Sequence, residues 1–178
     1  MKRKAVLAFS LISVLLLSAC GESAPIVTGN IVNCKTIQTI EGAKENYPTL
    51  CLDSSEGVNV AAIKGPAIIN VWGSWCKPCT DELPIFSEFY QSLDPAIILI
   101  GVDVEEKSLE SGRMFARTHG IMWPNLYDKE GTTRKYFGMG VPVTWFIGED
   151  GSVISKHTGA FKSVEELRTA TFKAFGVS

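Results

Sequence analysis

The sequence is poor in histidine and carries no strong excess of either charge. Its two histidines, His119 and His157, exclude a histidine-rich metal site. Lysine and arginine total 17 against 19 acids, a formal charge of −2, so the basic footprint of a nucleic-acid binder is missing. Cysteine is scarce too. Five in 178 residues are too few for a disulfide-knot scaffold, but enough for a redox or metal site. There is no internal repeat and no low-complexity block. What remains is 46% apolar and 20% charged, the balance of a globular chain with a real core. The length fits one domain with room for a small appendage.

The first twenty residues read as an address. Lys2, Arg3 and Lys4 form a positive start, and Ala5 to Leu17 is apolar apart from Ser10 and Ser13. At 13 residues this run is too short for a stable transmembrane helix and has the length of a signal-peptide core. Leu17-Ser18-Ala19-Cys20 follows, and it resembles the bacterial lipobox, in which the cysteine becomes the lipidated first residue. The expectation is a signal peptide over 1–19, lipidation at Cys20 and a flexible tether over 20–33, rich in Gly, Ser, Pro, Thr and Asn. Processing removes three positive charges and no acid, which takes the formal charge from −2 to −5. Several acyl chains anchor a protein stably where one binds only marginally. The compartment outside that membrane permits disulfides.

The domain proper is expected over 34–178. Residues 35–64 are mixed, with a short strand at Val58 to Ala61, and Gly65-Pro66 is a turn. Ala67 to Trp72 is a continuous apolar run, a buried central strand. A helix follows from Cys79 to about Leu93, with Leu83, Phe86, Phe89 and Tyr90 at helical spacing. Ala96 to Val104 is a second buried strand. Ser108 to His119 reads as a helix with Leu109, Met114 and Phe115 inward and Gly120 as its stop. Thr132 to Phe137 is a short helix, and Thr144 to Ile147 and Val153 to Thr158 form a hairpin around Gly148-Glu149-Asp150-Gly151. Ser163 and Glu166 form a capping box for a last helix that runs to about Phe175, closed by Gly176. This order predicts an α/β fold with a mixed central sheet flanked by helices.

The chemistry lies in Trp75-Cys76-Lys77-Pro78-Cys79, where a buried strand passes into a helix. Two residues between the cysteines at a helix start let both sulfurs reach disulfide distance. Unpaired amides and the positive end of the helix dipole favour thiolate over thiol at the first sulfur, and Lys77 adds charge of the same effect. Pro78 sits in the first turn, where its missing N–H costs nothing. Cys76 is expected to be the exposed nucleophile and Cys79 the shielded resolving thiol. A CxxC can also be half of a zinc site, which needs two more ligands. Cys34 and Cys51 could supply them, but the strand–CxxC–helix context does not suit a zinc knuckle. A static structural disulfide is the third reading, and the flanking Trp75 and internal Pro78 argue against it.

Asn70-Val71-Trp72-Gly73-Ser74-Trp75-Cys76-Lys77-Pro78-Cys79, followed by Asp81-Glu82-Leu83-Pro84, resembles the thioredoxin fold. More narrowly it resembles the TlpA/ResA/CcmG-like group of membrane-anchored thiol–disulfide oxidoreductases, over about residues 48–178. The resemblance implies a thioredoxin fold with an N-terminal extension and an inserted helix and strand between Ser108 and Asp128. Val141-Pro142-Val143-Thr144 looks like the loop whose cis proline faces the cysteines. Val141 would then offer its backbone to a substrate chain as one rung of strand pairing, with Trp75, Lys77, Pro78 and Pro142 around the same groove. The buried acid of thioredoxin aligns with Asn70, which cannot accept a proton. The resemblance implies that Glu82, one turn past Cys79, replaces it as a partly buried proton acceptor with a raised pKa. Asp81 next to it reads as solvated.

Cys34 and Cys51 read as a structural disulfide stapling the N-terminal extension. It closes about 16 intervening residues, a loop worth about 3 kcal/mol in the chain-entropy picture. A second redox pair that relays electrons to Cys76 is the alternative. His119 reads as a dipole-compensating surface residue, His157 as half exposed, and Trp123 and Trp145 as core or rim. The family resemblance implies an enzyme that needs no cofactor and no metal. It acts as a monomer on exported proteins with cysteines or disulfides, and a membrane thiol electron carrier recharges it. Reduction is the expected direction, as in cytochrome c or copper-centre maturation. A disulfide-forming oxidase runs the same exchange backwards. A copper chaperone would use CxxxC and a distal histidine in relatives of this fold, and a peroxidase would use a lone peroxidatic cysteine.

Overall fold

The computed structural model describes residues 30–177. The expected signal peptide, Cys20 and most of the tether lie outside the described residues. Along the chain run β1 (Pro48–Cys51), β2 (Glu56–Asn59), a single 3₁₀ turn (Val60–Ala62), β3 (Ala67–Trp72) and α1 (Lys77–Tyr90). They are followed by β4 (Ile98–Val104), α2 (Leu109–Thr118), β5 (Asn125–Asp128), α3 (Arg134–Phe137), β6 (Val143–Ile147), β7 (Val153–Thr158) and α4 (Val164–Phe175). The strands make one mixed sheet in the order β2-β1-β5-β4-β3-β6-β7. Strands β3, β4 and β5 are parallel neighbours, while β6 and β7 on one side and β1 and β2 on the other run antiparallel. This is the thioredoxin fold that the sequence resembles.

Two-residue alternation divides β3 between two cores. Ile68 and Trp72 point to the face covered by α1, α2 and α4, where they meet Leu83, Phe86, Phe89, Ala116 and Leu167. Ala67, Ile69 and Val71 point to the other face, with Ile100, Val102, Val143, Trp145 and Phe137. The N-terminal extension covers that second face through Cys34, Ile37, Val60 and Ile63. The Cys34–Cys51 disulfide (S–S 1.98 Å) ties the extension to the end of β1. Every residue of β3 is buried, as the unbroken run predicts, with Asn70 the one polar side chain in it.

Three elements depart from the sequence reading. The expected strand at 58–61 is β2 at Glu56–Asn59, and the chain then tightens into the 3₁₀ turn, with Asn59 accepting from the Ala61 N–H. Strand β1 has no alternation to announce it: Leu50 is exposed and only Cys51 is buried. Strand β5 was legible only through the family resemblance. Met114 is 61% exposed rather than inward. Gly112 and Ala116 carry the buried line of α2, and its Phe115 stacks on Trp72 with ring centres 5.0 Å apart. The cap at α4 forms with a shift: the Glu166 N–H donates to the Ser163 hydroxyl, but the Glu166 carboxylate accepts from the Lys162 N–H.

Candidate active site

Helix α1 starts two residues earlier than its apolar spacing indicates, because Cys76 itself is the cap. Its backbone is extended (φ −90°, ψ 104°) and its sulfur accepts the Cys79 N–H at 3.2 Å. The two cysteines are joined, with S–S 2.05 Å and Cα–Cα 5.3 Å. In this oxidised state Cys76 is only 4% exposed and Cys79 1%, so the expectation of an exposed Cys76 is corrected. The four cysteines among the described residues are used up in two disulfides, so the four-sulfur zinc set left open by the sequence is not assembled. Lys77 and Pro78 are exposed beside the pair. Lys77 forms an ion pair with solvent-facing Asp81, which shares its charge rather than directing it at the sulfur.

One turn past Cys79, Glu82 is 1% exposed on the inner face of α1. Its carboxylate is held from two sides. The Asn70 side-chain amide donates to Oε1 at 3.0 Å, and the Phe161 backbone N–H donates to Oε2 at 3.1 Å. Asn70 also donates to the Thr144 hydroxyl at 3.2 Å, so β6 helps to fix the amide that holds the carboxyl. Burial pushes its pKa up to about 7, against the opposing pull of Asn70, the Phe161 amide and Lys162. Asn70 therefore serves as a donor to the acid that stands in the place implied for it. The spacing of Glu82 from Cys79 was readable, but Thr144 and Phe161 carry no sequence mark as its neighbours.

The loop before Cys76 is held to the end of β4. The Ser74 N–H donates to Glu106 Oε1 at 2.7 Å, and the Trp75 indole N–H donates to the Val104 carbonyl at 3.2 Å. Trp75 is 52% exposed and folds back over Gly73, where a Cβ would come within 2.6 Å of the indole nitrogen. Ser74, Trp75, Glu105, Glu106, Lys107 and Ser111 line a cavity of about 630 Å³ beside the disulfide. Below it Asp103, paired with Trp72 in the β3–β4 register, is fully buried and receives no hydrogen bond from a donor. Burial first, and then the charge of Glu106, push the Asp103 pKa up to about 9. None of this acid pair was singled out in the sequence.

The protonated carboxyl of Asp103 is thus the native form at neutral pH. A raised folded-state pKa means that its contribution to stability is complete below about pH 4 and is lost progressively as the pH rises toward 9. An Asp103→Asn variant is uncharged at every pH. It is expected to be more stable than the parent by on the order of 2 kcal/mol at pH 8, with the difference vanishing near pH 4. Urea unfolding at several pH values checks this, and a constant difference across that range would contradict it.

The β3–β6 register pairs Val71 with Val143, which carries Val141 and Pro142 alongside the loop that leads into Cys76. The Val141–Pro142 peptide is cis, and Val141 packs against the cluster that contains both cysteines. The Gly65–Pro66 peptide, read as an ordinary turn, is cis as well. Trp123 and Trp145 are core residues. His119 is exposed as the C-cap of α2, and His157 is half-buried, stacked on Phe161 at 3.9 Å.

A disulfide that closes at the head of α1, one turn from a buried acid, has the parts that thiol–disulfide exchange needs. The chain is a thiol–disulfide oxidoreductase of thioredoxin fold. It belongs to the AhpC/TSA family, whose description matches residues 43–156. It is similar to the Thioredoxin-like protein YneN of Bacillus subtilis (strain 168), 28% identical over 132 residues, which cover 73% of this chain and 71% of the relative. The Thiol-disulfide oxidoreductase ResA of Geobacillus thermodenitrificans (strain NG80-2) is 27% identical over 161 residues, 89% of this chain and 90% of that protein. Among solved structures, dsbF of MTB in its mixed oxidized and reduced forms superposes with a TM-score of 0.64 at 22% identity, covering 74% of this chain and 97% of that one.

Proposed function

We propose that the chain is a membrane-tethered, extracytoplasmic reductant of disulfides in exported proteins, with Cys76 as nucleophile, Cys79 as resolving thiol and Glu82 as proton acceptor. The observation that carries this reading is the buried Glu82 carboxyl one turn beyond Cys79, held by Asn70 and Phe161 and poised near neutral pH. The Cys76 thiolate attacks one sulfur of a substrate disulfide. The substrate S–S bond breaks, its second sulfur leaves as thiolate and takes a proton from water, and Cys76 is left in a mixed disulfide. Cys79 then gives its proton to Glu82 and attacks the Cys76 sulfur, the bond from Cys76 to the substrate breaks, and the departing substrate thiolate takes up the proton that Glu82 gives back. The substrate leaves with both thiols reduced, and the Cys76–Cys79 disulfide observed here is the oxidised product.

The Val141 backbone, Pro142, Trp75, Lys77 and Pro78 receive the substrate segment in this reading. The tether proposed is the lipid on Cys20, which the likeness of Leu17-Ser18-Ala19-Cys20 to a lipobox supports. A membrane thiol carrier returns two electrons and two protons to the pair. The relatives named ResA support the assignment of the pair, and apocytochrome c or copper-centre cysteines are the substrates proposed for a monomeric enzyme. The direction is tested by equilibrating the full chain with dithiothreitol or glutathione buffers and counting alkylated Cys76 and Cys79 by mass spectrometry. That readout follows Cys34 and Cys51 separately. A reduction potential near that of thioredoxin, about −270 mV, is expected. A value near that of DsbA, about −120 mV, would overturn the reductant reading and favour disulfide formation.

A further inference from the structure

The segment Met139–Val141, which leads into the cis proline, has little to hold it. Among the described residues, Met139, Gly140 and Val141 make no backbone–backbone hydrogen bond outside the strand ladders, and the β6 ladder begins only at Val143. The backbone bonds nearest to it are Gly138 N–H to Arg134 carbonyl and Gly159 N–H to Pro142 carbonyl, one on each side. The contact that reaches inside the segment comes from a side chain: the Arg134 guanidinium donates to the Met139 carbonyl. The other arm of the same guanidinium forms an ion pair with Glu105.

Glu105 is a fixed anchor. Its backbone is left-handed (φ 57°), its N–H donates to the Asp128 carbonyl at 3.0 Å at the end of β5, and its side chain lies over Gly131. A Cβ on Gly131 would come within 2.6 Å of the Glu105 Cγ, so the fit needs glycine there. Glu105 also lines the cavity beside Trp75. The bridge therefore runs from a residue lining that cavity to the segment that leads into the cis proline.

We propose that Arg134 is a positioning residue that sets the substrate-holding loop against the cysteine pair by joining Glu105 to the Met139 carbonyl. This rests on the reading of Val141 and Pro142 as the place where a substrate backbone docks. A substrate strand pairs with Val141 only if the loop already holds its bound shape, and a loop ordered in advance spares the substrate that entropy. The planar fork of arginine reaches two acceptors at once in fixed directions. A lysine of similar length reaches Glu105 but delivers no rigid second arm.

The test compares a polypeptide disulfide with a small one. The full chain, recharged by dithiothreitol, is assayed on insulin and on hydroxyethyl disulfide. For Arg134→Lys the KM for insulin is expected to rise about tenfold. The kcat on insulin, the rate on hydroxyethyl disulfide and the Cys76–Cys79 reduction potential should stay within twofold of the parent. Glu105→Gln, which weakens the same bridge from its other end, should shift the insulin KM in the same direction. Pro142→Thr separates the two layers of the argument. If it raises the insulin KM while Arg134→Lys does not, the bridge is overturned and the docking site stands. If neither Pro142→Thr nor Arg134→Lys moves it, the docking reading itself fails. Equal losses on both substrates in Arg134→Lys would mark a general structural role and overturn the proposal.

Discussion

A Cys76→Ser variant is expected to lose insulin-reducing activity by about a thousandfold or more, whereas Cys79→Ser should stop after its first step. The asymmetry follows from where the two sulfurs lie. Cys76 caps α1 and receives the Cys79 N–H, so its sulfur meets the unpaired amides and positive end of the helix, which favour thiolate. Cys79 is inside the first turn, and since both sulfurs are enclosed in the oxidised state the capping position of Cys76 is what separates them. A serine hydroxyl at position 76 stays protonated at neutral pH and does not attack a disulfide. With serine at 79, the Cys76 thiolate still attacks, but nothing within reach releases the product. A covalent protein–substrate adduct should accumulate, visible on a non-reducing gel and dispersed by dithiothreitol. If Cys76→Ser formed that adduct and Cys79→Ser did not, the two roles would be exchanged. Steady turnover by both single variants would remove the pair from the reaction.

The placement of this pair was readable because it depends on local rules. The run Ala67 to Trp72 coincides with β3, and the glycine loop and cysteine spacing fix where α1 begins to within two residues. Glu82 follows from helical periodicity once Cys79 is placed. The surroundings of the site are a different matter, because they are assembled across the sheet. Asn70 and Thr144 meet through the β3–β6 register, and Phe161 arrives from beyond β7. Asp103 sits among apolar residues in a strand that reads as uniformly buried, so its sequence context does not distinguish a neutral acid from a misplaced charge. Arg134 lies on a four-residue helix with no amphipathic period, and its partners are 29 residues before it and five after it. Met114 fails for the opposite reason. Helical spacing marks two candidate faces on α2, and the small residues Gly112 and Ala116, not the large one, allow the close approach to the sheet.

Replacing Glu82 with glutamine is expected to slow the resolving step about 100-fold at pH 8 and to remove the levelling near pH 7, leaving a rate that climbs on toward the ordinary thiol range. As a base, Glu82 works only when ionised, and burial has raised its pKa to about 7. In the parent, resolution of the mixed disulfide should therefore slow about tenfold for each pH unit below 7 and level off above it. The sign on stability is the reverse: the ionised form is the one burial disfavours, so stability is greatest below about pH 4.5 and falls as the pH rises through 7. Activity thus depends on the form that costs the fold, and the Asn70 and Phe161 donors offset part of that cost. Glutamine cannot take the Cys79 proton at any pH, which leaves water as the acceptor. The step is isolated by mixing the reduced chain with excess insulin, quenching with acid and counting mixed disulfide by mass. The variant should build up that adduct where the parent does not, while the rate of the initial Cys76 attack is changed far less. A Glu82→Gln protein that resolves the adduct at the parent's rate, with the parent's rise toward pH 7, would assign the proton to another acceptor, and the nearby Asp103–Glu106 pair would be the next to substitute.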